Sequence, residues 1–280
     1  MSVGVLAHLM GKQPWDDLAE KVGKEGFAHV QLALWKAIDS PDFQRPGCLS
    51  PGLARSILSA FKRHGVSISV LACYLHLYER DPEKRQENLE RFKELIRYAP
   101  LFDCYVVAAE VGKMPGGFIP EDWEVLKESL ELLIEEAEKH GVLIGIEPAN
   151  DHLIGDAKTL ERMLEQLPSS NIGVVLDPVN LLTAENFSRQ DEVIEQAFRR
   201  LGNRILACHA KDRIMENGQI TTVPPGSGHL NYDLYFQLLH QYKPEVDVIM
   251  EAAKTPEQRQ ISKTFLDQKY NLEKKTGSRQ

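Results

Sequence analysis

A chain of 280 residues that is 42% hydrophobic can bury a large core, and its length suits either two domains or one α/β barrel of about 250 residues. No linker, low-complexity stretch or composition shift divides it, so one domain over residues 1–280 is expected, with a polar, flexible tail from residue 272. The net charge of −8 sets the surface against phosphate backbones and anionic membranes, which excludes nucleic acid and membrane as default partners.

In chain order, short apolar runs alternate with helical patterns. The first strand is expected at 3–8 and its helix at 14–24, the second pair at 28–33 and 51–64, the third at 66–71 and 82–98, and the fourth at 104–108 and 120–140. The second half continues with 142–147 and 158–166, 172–177 and 192–201, 205–209 and 232–242, then 246–251 and 256–272. Several of these helices open with Pro and end near Gly. Eight such units predict a (β/α)₈ TIM barrel. The Pro/Gly clusters KMPGGFIP and TVPPGSGH fall in the loops after strands four and seven, on the rim where loops that follow parallel strands build active sites.

Strands five to eight each close on a polar side chain able to bind metal: Glu147 after LIGI, Asp177 after GVVL, His209 in ILACH and Glu251 after VIM. Successive members lie about 30–40 residues apart, the length of one strand and its crossover helix. Because side chains alternate along a strand, Gly145, Val175, Ala207 and Ile249 share faces with these four residues, and an inward row aims them at the barrel mouth. A single strand-end carboxylate is usually a helix cap or half of an ion pair. Three converging carboxylates repel one another unless a cation joins them. The resulting set of three carboxylates and one imidazole suits one divalent ion, Mn²⁺ foremost, with Mg²⁺, Co²⁺ or Zn²⁺ as alternatives.

Nearly the whole chain resembles the sugar phosphate isomerase/epimerase family of the xylose isomerase-like TIM barrel superfamily. The resemblance lies in DPEKRQENLERFKELIRYAPLFDCYVVAA, AEKHGVLIGIEP, GVVLDPVN, CHAKD and the PPGSGHLNY loop. It implies that Glu147, Asp177, His209 and Glu251 form a single-metal site and that Glu147 and Glu251 are the acid–base pair. The implied activity is isomerisation or epimerisation of a sugar or sugar phosphate by proton transfer through a metal-stabilised enediolate. Two positions depart from the family: Asn180 stands where several relatives have His, and Gln31 where many have an acid.

His8, Trp35, Tyr74, His76 and Glu110 end or follow the first four strands, the rim from which a sugar would be contacted; for each the plainer role is rim packing. Asn180, Lys211 and Arg213 complete the candidate substrate-binding set. Lys211 shares the parity of His209, while Asp212 and Arg213 have the option of pairing locally. The PPGSGH loop has backbone N–H groups to offer an anion but lacks a P-loop pattern.

Three other functions compete. An inosose-type dehydratase would use the same barrel to expel a hydroxyl. An abasic-site endonuclease needs further histidines, one of them at Asn180, that this chain lacks. A sugar-binding barrel without turnover is the non-enzymatic reading. The expected partner is a small sugar or polyol, with a homo-oligomer possible. Cys48, Cys73, Cys104 and Cys208 are scattered without a CxxC pair, and the first residues hold no long apolar segment, so reduced thiols and a cytoplasmic location are expected.

Overall fold

The computed structural model describes residues 2–113 and 116–277, with side chains as far as residue 271. Seven parallel strands, β1 (Val3–Leu6), β2 (His29–Leu32), β3 (Ser67–Ala72), β4 (Val106–Ala109), β5 (Leu143–Ile146), β6 (Ile172–Leu176) and β7 (Ile205–Ala210), pair in chain order. A hairpin, β8 (Asp212–Glu216) and β9 (Gln219–Val223), follows before β10 (Val248–Met250) closes the barrel against β1, in the register Val3↔Val248 and Val5↔Met250. The eight expected strands are therefore the eight barrel strands.

The helices are α1 (Trp15–Lys24), α2 (Leu34–Ala37), α3 (Pro51–Arg63), α4 (Pro82–Tyr98), α5 (Pro120–His140), α6 (Ala157–Gln166), α7 (Gln190–Leu201), α8 (Tyr232–Tyr242) and α9 (Pro256–Gly277). Their starts follow local chemistry. Ser50, Asp81, Asp156 and Asn231 each accept a hydrogen bond from a backbone N–H of the first turn, and Pro begins α3, α4, α5 and α9. The last helix takes in most of the segment expected as a tail; Ser278 to Gln280 lie outside the described residues, as do Met114 and Pro115 of the KMPGGFIP cluster.

Two features escaped the sequence reading. The segment after β7, expected as open loop, is the β8–β9 hairpin, turned at Asn217-Gly218 with φ of 50° and 75°. Asn-Gly supplies two residues that tolerate positive φ, which matches the twist of a tight hairpin. Several strands also stop short of the expected residue. Asp177 lies one residue past β6 because its side chain caps the 3₁₀ turn Pro178–Leu181, accepting from Val179 N at 2.9 Å.

The core has two parts. A broad apolar layer separates barrel from helices, and a small cluster of Leu6, Val70, Ala108, Val175, Ala207 and Ile249 plugs the barrel interior. Three of those six, Val175, Ala207 and Ile249, sit two residues before Asp177, His209 and Glu251, so strand alternation lifts the polar side chains above the plug. Gly145 keeps the same layer open, since a Cβ there would stand 2.8 Å from Val175 Cγ2. The chain ends are tied by Arg259 of α9, which is 1% exposed: it pairs with both oxygens of Glu25 at 2.6 Å and donates to the carbonyls of Leu9 and Lys254.

Candidate metal and substrate site

Glu147, Asp177, His209 and Glu251 meet at the mouth, each offering a donor atom within 4.8 Å of the others. Two ligands on opposite sides of an ion at about 2.1–2.4 Å stand roughly 4.2–4.8 Å apart, so the cluster has the span of one coordination sphere. Imidazole Nδ1 of His209 lies 3.0 Å from Glu147 Oε1 and 3.0 Å from Glu251 Oε1. Buried Asp177 Oδ2 makes no aligned hydrogen bond, although Lys211 Nζ is 2.7 Å away. A set of three carboxylates and one imidazole on this span fits a divalent cation.

The protein also supplies its own counter-charge. Lys211 Nζ bridges Asp177 Oδ2 at 2.7 Å and Glu251 Oε2 at 2.9 Å. Burial disfavours its charge, but Asp177 and Glu251 outweigh that and hold the ammonium well above its ordinary value. Burial likewise opposes the imidazolium of His209, and Glu147 and Glu251 overcome it. The two glutamates are driven apart. Burial pushes Glu147 up, whereas at Glu251 burial is outweighed by Lys211 and His209, which hold that carboxyl well below the usual range.

The rim candidates divide by place. Tyr74, His76 and Glu110 line a cavity of about 210 Å³ together with Lys113 and His152. Glu110, Asn180 and Arg213 line an adjoining one of about 200 Å³, again with Lys113 and His152. Asn180 donates to Glu147 Oε1 at 2.7 Å, so it touches the metal cluster as well as the cavity. Burial and the charge of Glu147 push Glu110 up to about 7. His8 is lowered to about 4 by burial and by Lys36, and its buried Nδ1 has no partner. Trp35 lines neither cavity; it packs edge-on against Tyr74, ring centroids 6.2 Å apart.

Arg213 and Asp212 do not pair through their side chains. Arg213 donates to the Leu182 carbonyl. Asp212 is 1% exposed and accepts from the backbone N–H groups of Arg213, Gly226, Gly228 and Leu230 at 2.8–3.2 Å. The PPGSGH amides considered for an external anion are thus held by an internal carboxylate. Gly228 is required there, because a Cβ would lie 2.4 Å from Asp212 Oδ1.

Sequence reasoning passed over His152 and Lys113, although ANDHLIGD and KMPGG both follow barrel strands, the position that signals a rim contact. It noted Gln31 only as a departure. Gln31 Oε1 lies 2.9 Å from His209 Nε2, and Gln31 Nε2 donates to Tyr74 Oη at 2.7 Å.

A family model described as xylose isomerase-like TIM barrel matches residues 19–268. The chain belongs to the xylose isomerase-like TIM barrel family. No curated protein matches it. Among solved structures it is similar to a D-tagatose 3-epimerase-like protein, with 20% identity, 99% of each chain covered and a TM-score of 0.79. It is similar also to an L-ribulose 3-epimerase, with 14% identity, 99% of this chain and 97% of that one covered, and a TM-score of 0.77. A third similar structure is the IOLI protein with a bound zinc atom, at 18% identity, 98% and 96% coverage and a TM-score of 0.70. Identities at this level carry the xylose isomerase-like barrel and no particular substrate. Among the described residues no helix is long and apolar enough to cross a membrane.

Proposed function

We propose that the protein is a divalent-metal-dependent isomerase or epimerase of a small sugar or sugar phosphate. The observation that carries this reading is the pair Glu147 and Glu251, each with a carboxylate oxygen 3.0 Å from His209 Nδ1 in a cluster that fits one metal ion. Similarity to sugar 3-epimerases supports it. Glu147, Asp177, His209 and Glu251 would hold the ion, Mn²⁺ foremost. Bound there, a divalent ion would act as a Lewis acid on a carbonyl and adjacent hydroxyl, favouring loss of the C–H proton from the hydroxyl-bearing carbon.

The chain's own groups supply proton transfer. An acid–base pair works when one member is ionised and the other protonated, and the surroundings of Glu251 and Glu147 push them in those opposite directions. Glu147 and Glu251 are assigned as the acid–base pair, one taking the proton and the other returning it. Asn180 orients Glu147, and Lys211 orients Glu251. The cavities lined by Tyr74, His76, Glu110 and Arg213 would take the rest of the carbon chain and its hydroxyls.

Glu110 favours a second reading. A carboxyl pushed up to about 7 beside Glu147 is protonated in part at neutral pH and can donate to a departing hydroxyl, as an inosose-type dehydratase requires. Purified protein loaded with Mn²⁺ and offered a panel of ketoses, ketose phosphates and inososes tests both readings. Isomer or epimer formation supports the first and water loss the second. Stoichiometric metal with neither product would leave a binding protein.

A further inference from the structure

We infer that Gln31, on β2, decides which imidazole nitrogen of His209 faces the three carboxylates, and so makes His209 competent to bind the ion. The inference rests on the metal-site reading above. A histidine ligand must present a lone pair on one nitrogen while the other carries the proton, and the group bonded to that other nitrogen sets the choice. His209 is fully buried, so bulk water does not reach that nitrogen. Among the described residues its Nε2 has one partner, Gln31 Oε1 at 2.9 Å, and its Nδ1 faces Glu147 and Glu251. With Nε2–H held by Gln31, the proton on Nδ1 is the one an incoming ion would displace, and Nδ1 is the atom left for the metal.

An amide can present either oxygen or nitrogen, so the far end of Gln31 matters. Its Nε2 donates to Tyr74 Oη at 2.7 Å, which leaves Oε1 turned toward His209. Tyr74 is itself held by two neighbours: Trp35 packs edge-on at 6.2 Å and Lys36 Nζ lies 4.0 Å from the ring centroid. A flipped amide would donate to His209 Nε2 and force the proton onto Nδ1, where it would stand in the ion's place. Gln31 is also neutral, so it positions His209 without adding a fourth negative charge to the cluster. It is a positioning residue. It reaches the substrate cavity only through Tyr74, which lines that cavity.

The test uses the full chain, metal-free and loaded with Zn²⁺, a diamagnetic ion. Long-range ¹H–¹⁵N spectra of Zn²⁺-loaded wild-type protein should show His209 protonated at Nε2, with a slowly exchanging proton. Gln31→Leu, which has no acceptor, should lose the slow exchange and bind Zn²⁺ roughly 10- to 100-fold more weakly by titration calorimetry. Gln31→Glu, which restores an oxygen at the same place, should keep the signal and remain within about tenfold of wild type. Unchanged affinity and exchange in Gln31→Leu would overturn the inference while leaving the metal site intact. So would a wild-type spectrum with Nε2 unprotonated. Should Gln31→Leu fail to fold, Gln31→Glu decides alone, because loss of its signal or a larger fall in affinity is fatal. Wild-type protein that takes up no Zn²⁺ overturns both readings.

Discussion

Replacing Lys211 with methionine tests whether the chain's own cation stands in for the metal. Lys211 is 8% exposed and holds Asp177 Oδ2 and Glu251 Oε2 at 2.7 and 2.9 Å, so its removal leaves three carboxylates, Glu147 and Asp177 buried and Glu251 partly so, balanced by His209 alone. At an effective dielectric of about 20 each contact has a Coulomb energy of roughly 6 kcal/mol, most of it offset by the cost of burying the charges. Breaking a buried pair from one side costs roughly 3–5 kcal/mol, or about 5–9 °C in Tm for a chain of this length. Without metal, Lys211→Met should melt lower by that amount. With Mn²⁺ the direction reverses, because a cation no longer repels the incoming ion. Thermal melts of both proteins, metal-free and in saturating Mn²⁺, should therefore give a larger metal-induced rise in the variant. Equal Tm values without metal would refute the role of Lys211 as counter-ion, and an equal or smaller rise would refute the competition.

Four further outcomes are expected. Asp177→Ala and His209→Ala should lose metal and activity together, with affinity falling at least ten- to hundredfold by elemental analysis and titration. Glu147→Gln and Glu251→Gln keep an oxygen donor, so they should retain weakened metal binding while turnover falls by roughly 10²–10⁴; full turnover in both would end the two-glutamate mechanism. Asp212→Asn sets a donor against either the N–H groups of Gly226 and Gly228 or those of Leu230 and Arg213, and should lose roughly 2–4 kcal/mol of stability; faster hydrogen exchange at the opposed pair of amides is the local readout. Glu110 is raised from 4.5 to about 7, so the folded protein holds its proton more tightly than the unfolded chain does. The associated stability is complete below 4.5 and is lost as pH rises through 7, by up to about 3 kcal/mol. Glu110→Gln should therefore flatten the fall in Tm between pH 5 and 8 in metal-free protein.

The barrel was legible because its two signals are local and repeated. Prolines open α3, α4, α5 and α9, short apolar runs recur once per unit, and a closed parallel sheet is what aligns their ends. Strand ends were less legible. Asp177 reads as the last residue of an apolar run, but capping the next turn takes it out of the ladder, and periodicity carries no trace of that competition. The hairpin was written in Asn217-Gly218, a turn signal flanked by alternating residues, and it was missed because the barrel pattern claimed the segment as a loop.

At the site, alternation tells which face a side chain takes but not what it meets there. The parity shared by His209 and Lys211 places both in the mouth, yet the ion pairs of Lys211 with Asp177 and Glu251 join β7 to the ends of β6 and β10. Such contacts depend on the order in which strands close, a property of the whole barrel. Gln31 is the sharper case. It lies 178 residues from His209 in sequence, and the two meet across the barrel mouth over β10 and β1, with no local spacing to announce the contact. A glutamine in a strand reads as a polar interruption, and only its partners turn it into an acceptor for Nε2. The same holds for Asp212, which looks like half of a local ion pair with Arg213 until the PPGSGH amides fold back upon it. Ligand types and their rim are therefore written along the strands, whereas the groups that balance their charge and choose their tautomer exist only once the barrel has closed.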